Sequence, residues 1–366
     1  MAAPSALDFI TVKGFKSISY LRCDLRQINV LIGANGSGKS NFLSVFEFLR
    51  ETGKGPAELR QYVGRAGGAE QLLHFGSKVS KEIEIDISIG GGSYQYGVVL
   101  KPTYDDNLYS TRQKFKDAQA DPLATPQDSG SEATINDADY ESFGVHRARP
   151  ESWRIYHLND TSPSAPIRKT SKLNDNAFLR PDGSNLSAFL YLLQQKHPES
   201  YRLIRGTVGQ VAPFFDDFIL KPDLLNEETI RLTWKHKNSD QYFGASAMSD
   251  GSLRFVVLAT LLLQPDRFLP SVILIDEPEL ALHPYAITLL GSLVKQASVK
   301  SQVILSTQSS LLLGHFEPED VFVAERSQGG TQLTRLEPSR LEAWLEDYSL
   351  GQLWEKNELG GRPGPE

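Results

Sequence analysis

The run Gly33-Ala34-Asn35-Gly36-Ser37-Gly38-Lys39-Ser40 has the spacing Gly-x-x-x-x-Gly-Lys-Ser. These residue types at this spacing suit the capture of a phosphate chain. Glycines let backbone N–H groups turn inward around phosphate oxygens, and a helix that follows aims its positive end at the anion. Lys39 would reach the β- and γ-phosphates, and the Ser40 hydroxyl would ligate Mg2+. Gly33 to Ser40, with the adjoining Asn41, form the candidate nucleotide-binding set. A second signal is Val272-Ile273-Leu274-Ile275-Asp276-Glu277, an apolar run ending in two carboxylates. Acids at the carboxyl end of a buried strand stand where open α/β sheets bind ligands. Asp276 would hold Mg2+ through its water shell, and Glu277 would orient or deprotonate an attacking water. Adjacent acids with divided roles point to hydrolysis rather than nucleotide storage. A third signal is Ser249-Asp250-Gly251-Ser252, which opens an apolar helix and offers a second anion-binding surface.

The elements around these residues fit their tasks. Ile28–Ile32 is a short apolar run ending at Gly33, which predicts a buried strand. Phe42, Val45, Phe46 and Leu49 recur at helical spacing after the loop, with Gly53 as the expected stop. Phe9–Val12 is an earlier strand, broken at Gly14. Ile83, Ile85 and Ile87 alternate with Glu82, Glu84 and Asp86, and Tyr94–Leu100 returns past Gly90–Gly92, so the pattern predicts a hairpin. Leu253–Leu263 reads as an apolar helix, Val272–Ile275 as a buried strand, Tyr285–Ala297 as a helix, and Val303–Ser306 and Val321–Ala324 as strands. This alternation predicts parallel β–α–β wiring. Two helices over 186–211 divide at Pro198. Trp153–Leu158 and Ile230–Trp234 are further strand candidates, 119–134 a polar loop, and Arg340–Asp347 a late helix.

Composition sets limits. The chain has 366 residues, 40% of them hydrophobic and 23% charged, with a formal net charge of −7. That is ordinary for a globular protein and excludes a disordered, collagen-like or coiled-coil chain. It also lacks the chain-wide basic footprint of a nucleic-acid binder. The lone cysteine, Cys23, excludes an internal disulfide framework and multi-cysteine metal sites, and suits a reducing cytoplasm. The longest apolar stretch, Phe255–Leu263, is too short to span a bilayer. Met1–Phe9 has no basic region ahead of an apolar core, so no secretory signal is expected.

These motifs, in this order, resemble the ATP-binding-cassette ATPases, and among them the head domains of the RecF/SMC/OLD-like group. Phe15-Lys16-Ser17 is similar to the opening of those heads, and Ser249-Asp250-Gly251-Ser252 stands where their Leu-Ser-Gly-Gly signature belongs. Ile275-Asp276-Glu277-Pro278-Glu279, followed by Leu282-His283-Pro284, resembles their Walker B and D-loop. More narrowly, the chain resembles the stand-alone bacterial ATPases called AAA_21. The motif-bearing resemblance covers about 8–50 and 245–325. It implies two heads closing around two ATPs, with Ser249, Asp250, Gly251 and Ser252 of one head acting in trans. It also implies three catalytic residues: Lys39, Glu277 and Gln308. Gln308 follows Val303–Ser306 where the family often carries a switch histidine. Glutamine can orient a phosphate or water but cannot take up a proton at neutral pH, so slow turnover is expected. The family's Q-loop glutamine has two candidate places, Gln71 and the segment His157–Asp160.

The expected architecture is therefore α/β: a P-loop NTPase of ABC-ATPase type with a mixed sheet and an inserted α+β lobe. Residues 1–102 and 241–330 would form the two parts of the core, 103–240 the inserted lobe, and 331–366 a tail. The expected function is a cytoplasmic, Mg2+-dependent ATPase that dimerises around ATP and couples its nucleotide state to DNA, as in repair or recombination. The alternative is a regulatory subunit controlling a partner effector protein, for example in phage defence. Arg147, Arg149, Arg154, Arg168, Lys169 and Lys172, with Trp153 and Tyr156 among them, form the local cluster that could meet a phosphate backbone. A transporter subunit is disfavoured by the abbreviated signature and the missing switch histidine. No membrane partner is expected.

Overall fold

The computed structural model describes residues 6–117, 153–327 and 329–361. The polar loop expected over 119–134, with Arg147 and Arg149, lies outside the described residues. The first strands are β1 (Leu7–Phe15), β2 (Ile18–Asp24) and β3 (Ile28–Ile32). Helices α1 (Lys39–Lys54) and α2 (Pro56–Arg65) follow, then β4 (Ile83–Ile89), β5 (Tyr94–Pro102), β6 (Leu108–Asp117) and β7 (Trp153–Tyr156). Next come α3 (Leu186–Lys196), α4 (Pro198–Val211), α5 (Asp250–Leu263), β8 (Val272–Asp276), α6 (Pro284–Ser298) and β9 (Gln302–Ser306). The chain closes with β10 (Val321–Ser327), β11 (Gly330–Arg335), α7 (Pro338–Leu345) and α8 (Leu350–Glu355).

Two large sheets result. One is antiparallel and five-stranded, in the order β2-β1-β4-β5-β6. The other is six-stranded, in the order β11-β10-β3-β9-β8-β7, and parallel except for β11. Within the 103–240 span, Leu108–Asp117 thus extends the antiparallel sheet and Trp153–Tyr156 edges the parallel one.

The parallel sheet separates two cores. Successive side chains of a strand point to opposite faces. Val30, Ile32, Ile273, Ile275, Val303 and Leu305 accordingly join one cluster with α3, α4, α5 and α6. Leu31, Val272, Leu274, Ile304 and Trp153 join the other with α1 and the antiparallel sheet. There Phe46 meets Trp153 edge to face at 5.8 Å between centroids. With both faces covered, β3 and β8 are largely apolar; the exceptions are Asn29, whose side chain donates to Arg26 O and accepts from Arg26 N, and Asp276 at the carboxyl end of β8. Cys23 packs in the second core, where burial pushes its thiol up to about 12.

The described structure differs from expectation in three local places. Gly14, at φ 74°, does not end β1, which continues to Phe15 and pairs it with Ile18. Helix α1 ends at Lys54 rather than Gly53, because Gly55, at φ 134°, takes the left-handed turn before Pro56 opens α2. Ile230–Trp234 is not one strand. Asn226–Ile230 and Thr233–His236 belong to two separate small antiparallel sheets. Ile230, Leu232 and Trp234 are all buried, so the period-2 burial continues across the break and hides it.

Candidate nucleotide site

The loop between β3 and α1 has the conformation its glycines predict. Gly33, Gly36 and Gly38 adopt φ values of 144°, 80° and 104°, which L side chains rarely reach. At Gly38 the neighbours also require glycine: a Cβ there would stand 1.9 Å from Thr331 Oγ1 on β11. Thr331 donates its hydroxyl to the Ser37 carbonyl (3.0 Å), and its own N–H bonds Ser17 O (2.7 Å). Sequence reasoning attached no role to Thr331, because nothing local ties β11 to a loop nearly 300 residues earlier. Lys39 folds back over the loop and donates to Gly33 O (2.8 Å) and Ala34 O (2.9 Å). Burial lowers its pKa, opposed by the charges of Glu277, Asp276 and Glu279. Ser40 is exposed, and the Asn41 amide turns away to donate to Ser17 Oγ (2.8 Å). Ser37 Oγ is buried without a hydrogen-bond partner. A phosphate oxygen would satisfy such an orphan.

β3, β8 and β9 are adjacent and parallel, so their carboxyl ends bring the acid pair and the switch position to the same edge as the P-loop. Asp276 accepts from Ser306 Oγ, and its second oxygen is 3.8 Å from His157 Nδ1. Glu277 has φ 48°, the left-handed region, which costs a non-glycine residue about 1 kcal/mol or more. Two acceptors hold it there: its N–H bonds Ser306 O (3.1 Å) and Ser306 Oγ (3.2 Å). Gln308 donates its side-chain amide to the Glu277 carboxylate. Lys39, Asp276, Glu277 and Gln308 thus converge. An exposed Ser40 hydroxyl and the Asp276 oxygen that faces His157 suit a hard cation, which prefers oxygen ligands.

The signature residues open α5 and pack on the 279–282 loop. Ser249 caps α5 and accepts from Ser252 N (3.2 Å), while its hydroxyl donates to Ser252 Oγ (2.8 Å). Asp250 pairs with Arg168 at 2.5 Å. Gly251 lies against the 279–282 loop so closely that a Cβ would meet Ala281 O at 2.1 Å. Arg254, one turn further along α5, is buried and donates to the carbonyls of Leu158 (2.8 Å), Asn159 and Leu280. The signal for it was a single charge inside an otherwise apolar helix. Glu279 is buried as well. It accepts from Thr307 Oγ1 (2.7 Å) and Gln308 N (2.8 Å), and burial raises its pKa.

Of the two Q-loop candidates, the His157 segment lies at the site. It follows β7, the strand beside β8. Gln71 lies on the short helix Ala69–Leu72, outside the parallel sheet. Asp160 caps its own turn through Ser162 N (3.0 Å). Among the described residues of the basic cluster, the two arginines are engaged. Arg168 donates to Thr161 O (2.8 Å) and Met248 O (3.1 Å) besides pairing with Asp250, and Arg154 stacks on Phe178 at 4.6 Å. Lys169 and Lys172 remain exposed.

The fold is that of SMC-type ATPase heads, a P-loop NTPase fold. Similar solved structures include an SMC head bound to the C-winged-helix domain of ScpA. Its TM-score is 0.62 at 18% identity, covering 92% of this chain and 99% of that one. An SMC head with an extended coiled coil, bound to the C-terminal domain of ScpA and derived from Pyrococcus furiosus, gives 0.61 at 15% identity, with 93% and 98% covered. One from Pyrococcus yayanosii gives 0.53 at 13%, with 93% and 99% covered. A search of curated proteins returned no match. Residues 28–314 match AAA_21, described as "AAA domain, putative AbiEii toxin, Type IV TA system", and the chain belongs to that family.

Proposed function

We propose that this chain is an Mg2+-dependent ATPase whose heads dimerise around ATP. The observation that carries the reading is the convergence of Lys39, Asp276, Glu277 and Gln308 beside a glycine cradle. The backbone N–H groups of 33–40 and Lys39 would bind the β- and γ-phosphates. Ser40 and Asp276 would hold Mg2+, which neutralises charge on the transferring phosphate when bound. Glu277 would accept the proton of the attacking water once Gln308 releases it, and Gln308 would then orient that water or the γ-phosphate. The 280–285 region supports pairing of heads. Leu280 and Tyr285 are 38% and 51% exposed, apolar surface beside the Ser249 cap that a second copy would cover.

The coupled partner is DNA or a protein effector. Arg168 is spent on Asp250 and on backbone carbonyls and Arg154 stacks on Phe178, which leaves Lys169 and Lys172 as the exposed cations among the described residues of the cluster and favours the effector. The family description, which names a toxin–antitoxin system, favours it too. Steady-state ATP hydrolysis with and without duplex DNA, at two salt concentrations, tests this. Turnover that ignores DNA and disappears in Glu277→Gln supports the effector reading. Stimulation that fades as salt rises restores DNA as partner. Equal inactivity of parent and variant, with Mg-ATP bound, contradicts the role given to Glu277.

A further inference from the structure

Glu279 stands between the nucleotide-sensing loop and the signature face. On one side, a single carboxylate oxygen, Oε1, takes both the Thr307 hydroxyl (2.7 Å) and the Gln308 N–H (2.8 Å). Thr307 is itself fixed to the P-loop strand, since its N–H bonds Leu31 O at 3.0 Å, and its hydroxyl oxygen accepts from Ser309 N (3.0 Å). On the other side, the residues after Glu279 carry the signature helix. Leu280 O receives the Arg254 guanidinium, and Ala281 O lies under Gly251. Ala281 has φ 60°, so this loop is held in a conformation that it would leave if its anchors were cut. Oε2 of Glu279 is buried with no hydrogen-bond partner. The side chain is therefore kept by what Oε1 does, since burying a carboxylate for packing alone is unfavourable.

We propose that Glu279 is a positioning residue that joins the 307–309 loop to the 279–282 loop, so that movement of Gln308 toward a γ-phosphate is passed to the signature of the same protomer. This deepens the function proposed above and rests on it for its catalytic consequence, though not for its structural one. Glu279 touches neither substrate nor the attacking water; it acts through the backbone of Gln308 and of Leu280.

The test compares Glu279→Ala with Glu279→Gln. The glutamine keeps an oxygen acceptor at the Oε1 position, and the alanine removes it. Without nucleotide, amide hydrogen exchange of the peptide containing Gln308 is expected to rise about tenfold or more in Glu279→Ala, and to stay near the parent in Glu279→Gln. In turnover, Glu279→Ala is expected to lower kcat about tenfold with KM little changed, and Glu279→Gln to restore most of it. Thr307→Val, which removes the hydroxyl donor and leaves Glu279 in place, serves if Glu279→Ala fails to fold, and the same rise in exchange is expected from it. Unchanged exchange at Gln308 in the alanine or valine variant overturns the proposal. So does a loss confined to KM, or a glutamine variant no better than alanine. Hydrolysis absent from the parent would refute the proposed function, and the exchange experiment would still decide the role of Glu279.

Discussion

Glu277 is held in a strained backbone conformation by Ser306 and is bonded by Gln308, an arrangement suited to a base kept idle until nucleotide arrives. Glu277→Gln should bind Mg-ATP with affinity within about threefold of the parent and lose at least about a hundredfold in kcat, read by single-turnover hydrolysis. Lys39→Met should instead lose nucleotide binding about a hundredfold while unfolding at a similar temperature, because Lys39 now bonds only loop carbonyls. Glu279 gives a pH signature. Burial raises its pKa, so the folded chain holds this proton more tightly than the unfolded chain, and the contribution to stability is lost as pH rises above the ordinary value of 4.5. The melting temperature of Glu279→Gln relative to the parent should therefore climb as pH rises above about 4.5. A flat difference would show that Glu279 does not titrate abnormally. At this scale the sequence was most legible where a motif dictates position: Gly33 to Ser40, Asp276, Glu277 and Gln308 all come to the carboxyl edge of one parallel sheet. It was silent on Thr331, and it could not show that Arg168 and Arg254 are held by Asp250 and by the carbonyls of Leu158 and Leu280, partners tens of residues away.

Helix α5 carries the signature and is buried along most of its length, so its position is fixed by packing and by Arg254. Removing that guanidinium takes the donor from the buried Leu158 carbonyl and from the partly buried Leu280 carbonyl. Arg254→Met should cost about 2–4 kcal/mol in urea unfolding, and a loss below about 0.5 kcal/mol would refute its structural role. Gly251→Ala drives a methyl group into Ala281 O and should displace α5 from the 279–282 loop. It should leave nucleotide affinity unchanged and abolish ATP-dependent pairing, read by light scattering. Elements that are buried on both faces announced themselves in sequence: β3, β8 and α5 are apolar runs bounded by Gly or Pro. The break after Ile230 did not, since burial parity runs through it, and neither did the membership of Trp153–Tyr156 in the core sheet, which depends on pairing with β8 across more than a hundred residues.

The whole molecule is two cores divided by one parallel sheet. One core, with α1 and the antiparallel sheet, supports the P-loop, and the other, built around α5, supports the signature. Strands β3, β8 and β9 contribute to both, so the edge that carries the P-loop and the acid pair lies where the cores meet. No described helix is long and apolar enough to cross a membrane. Within one chain the signature bonds to Arg168 and lies against the 279–282 loop rather than against its own P-loop. That arrangement has a use if a second copy supplies the phosphate. The most direct measurement is the molar mass of Glu277→Gln by size-exclusion light scattering in saturating Mg-ATP and in Mg-ADP, with Ser249→Arg added as the interface variant. The account predicts a dimer in Mg-ATP, a monomer in Mg-ADP, and a monomer in both when Ser249→Arg is present. A protein that binds Mg-ATP yet stays monomeric, or a dimer indifferent to nucleotide and to Ser249→Arg, would contradict it.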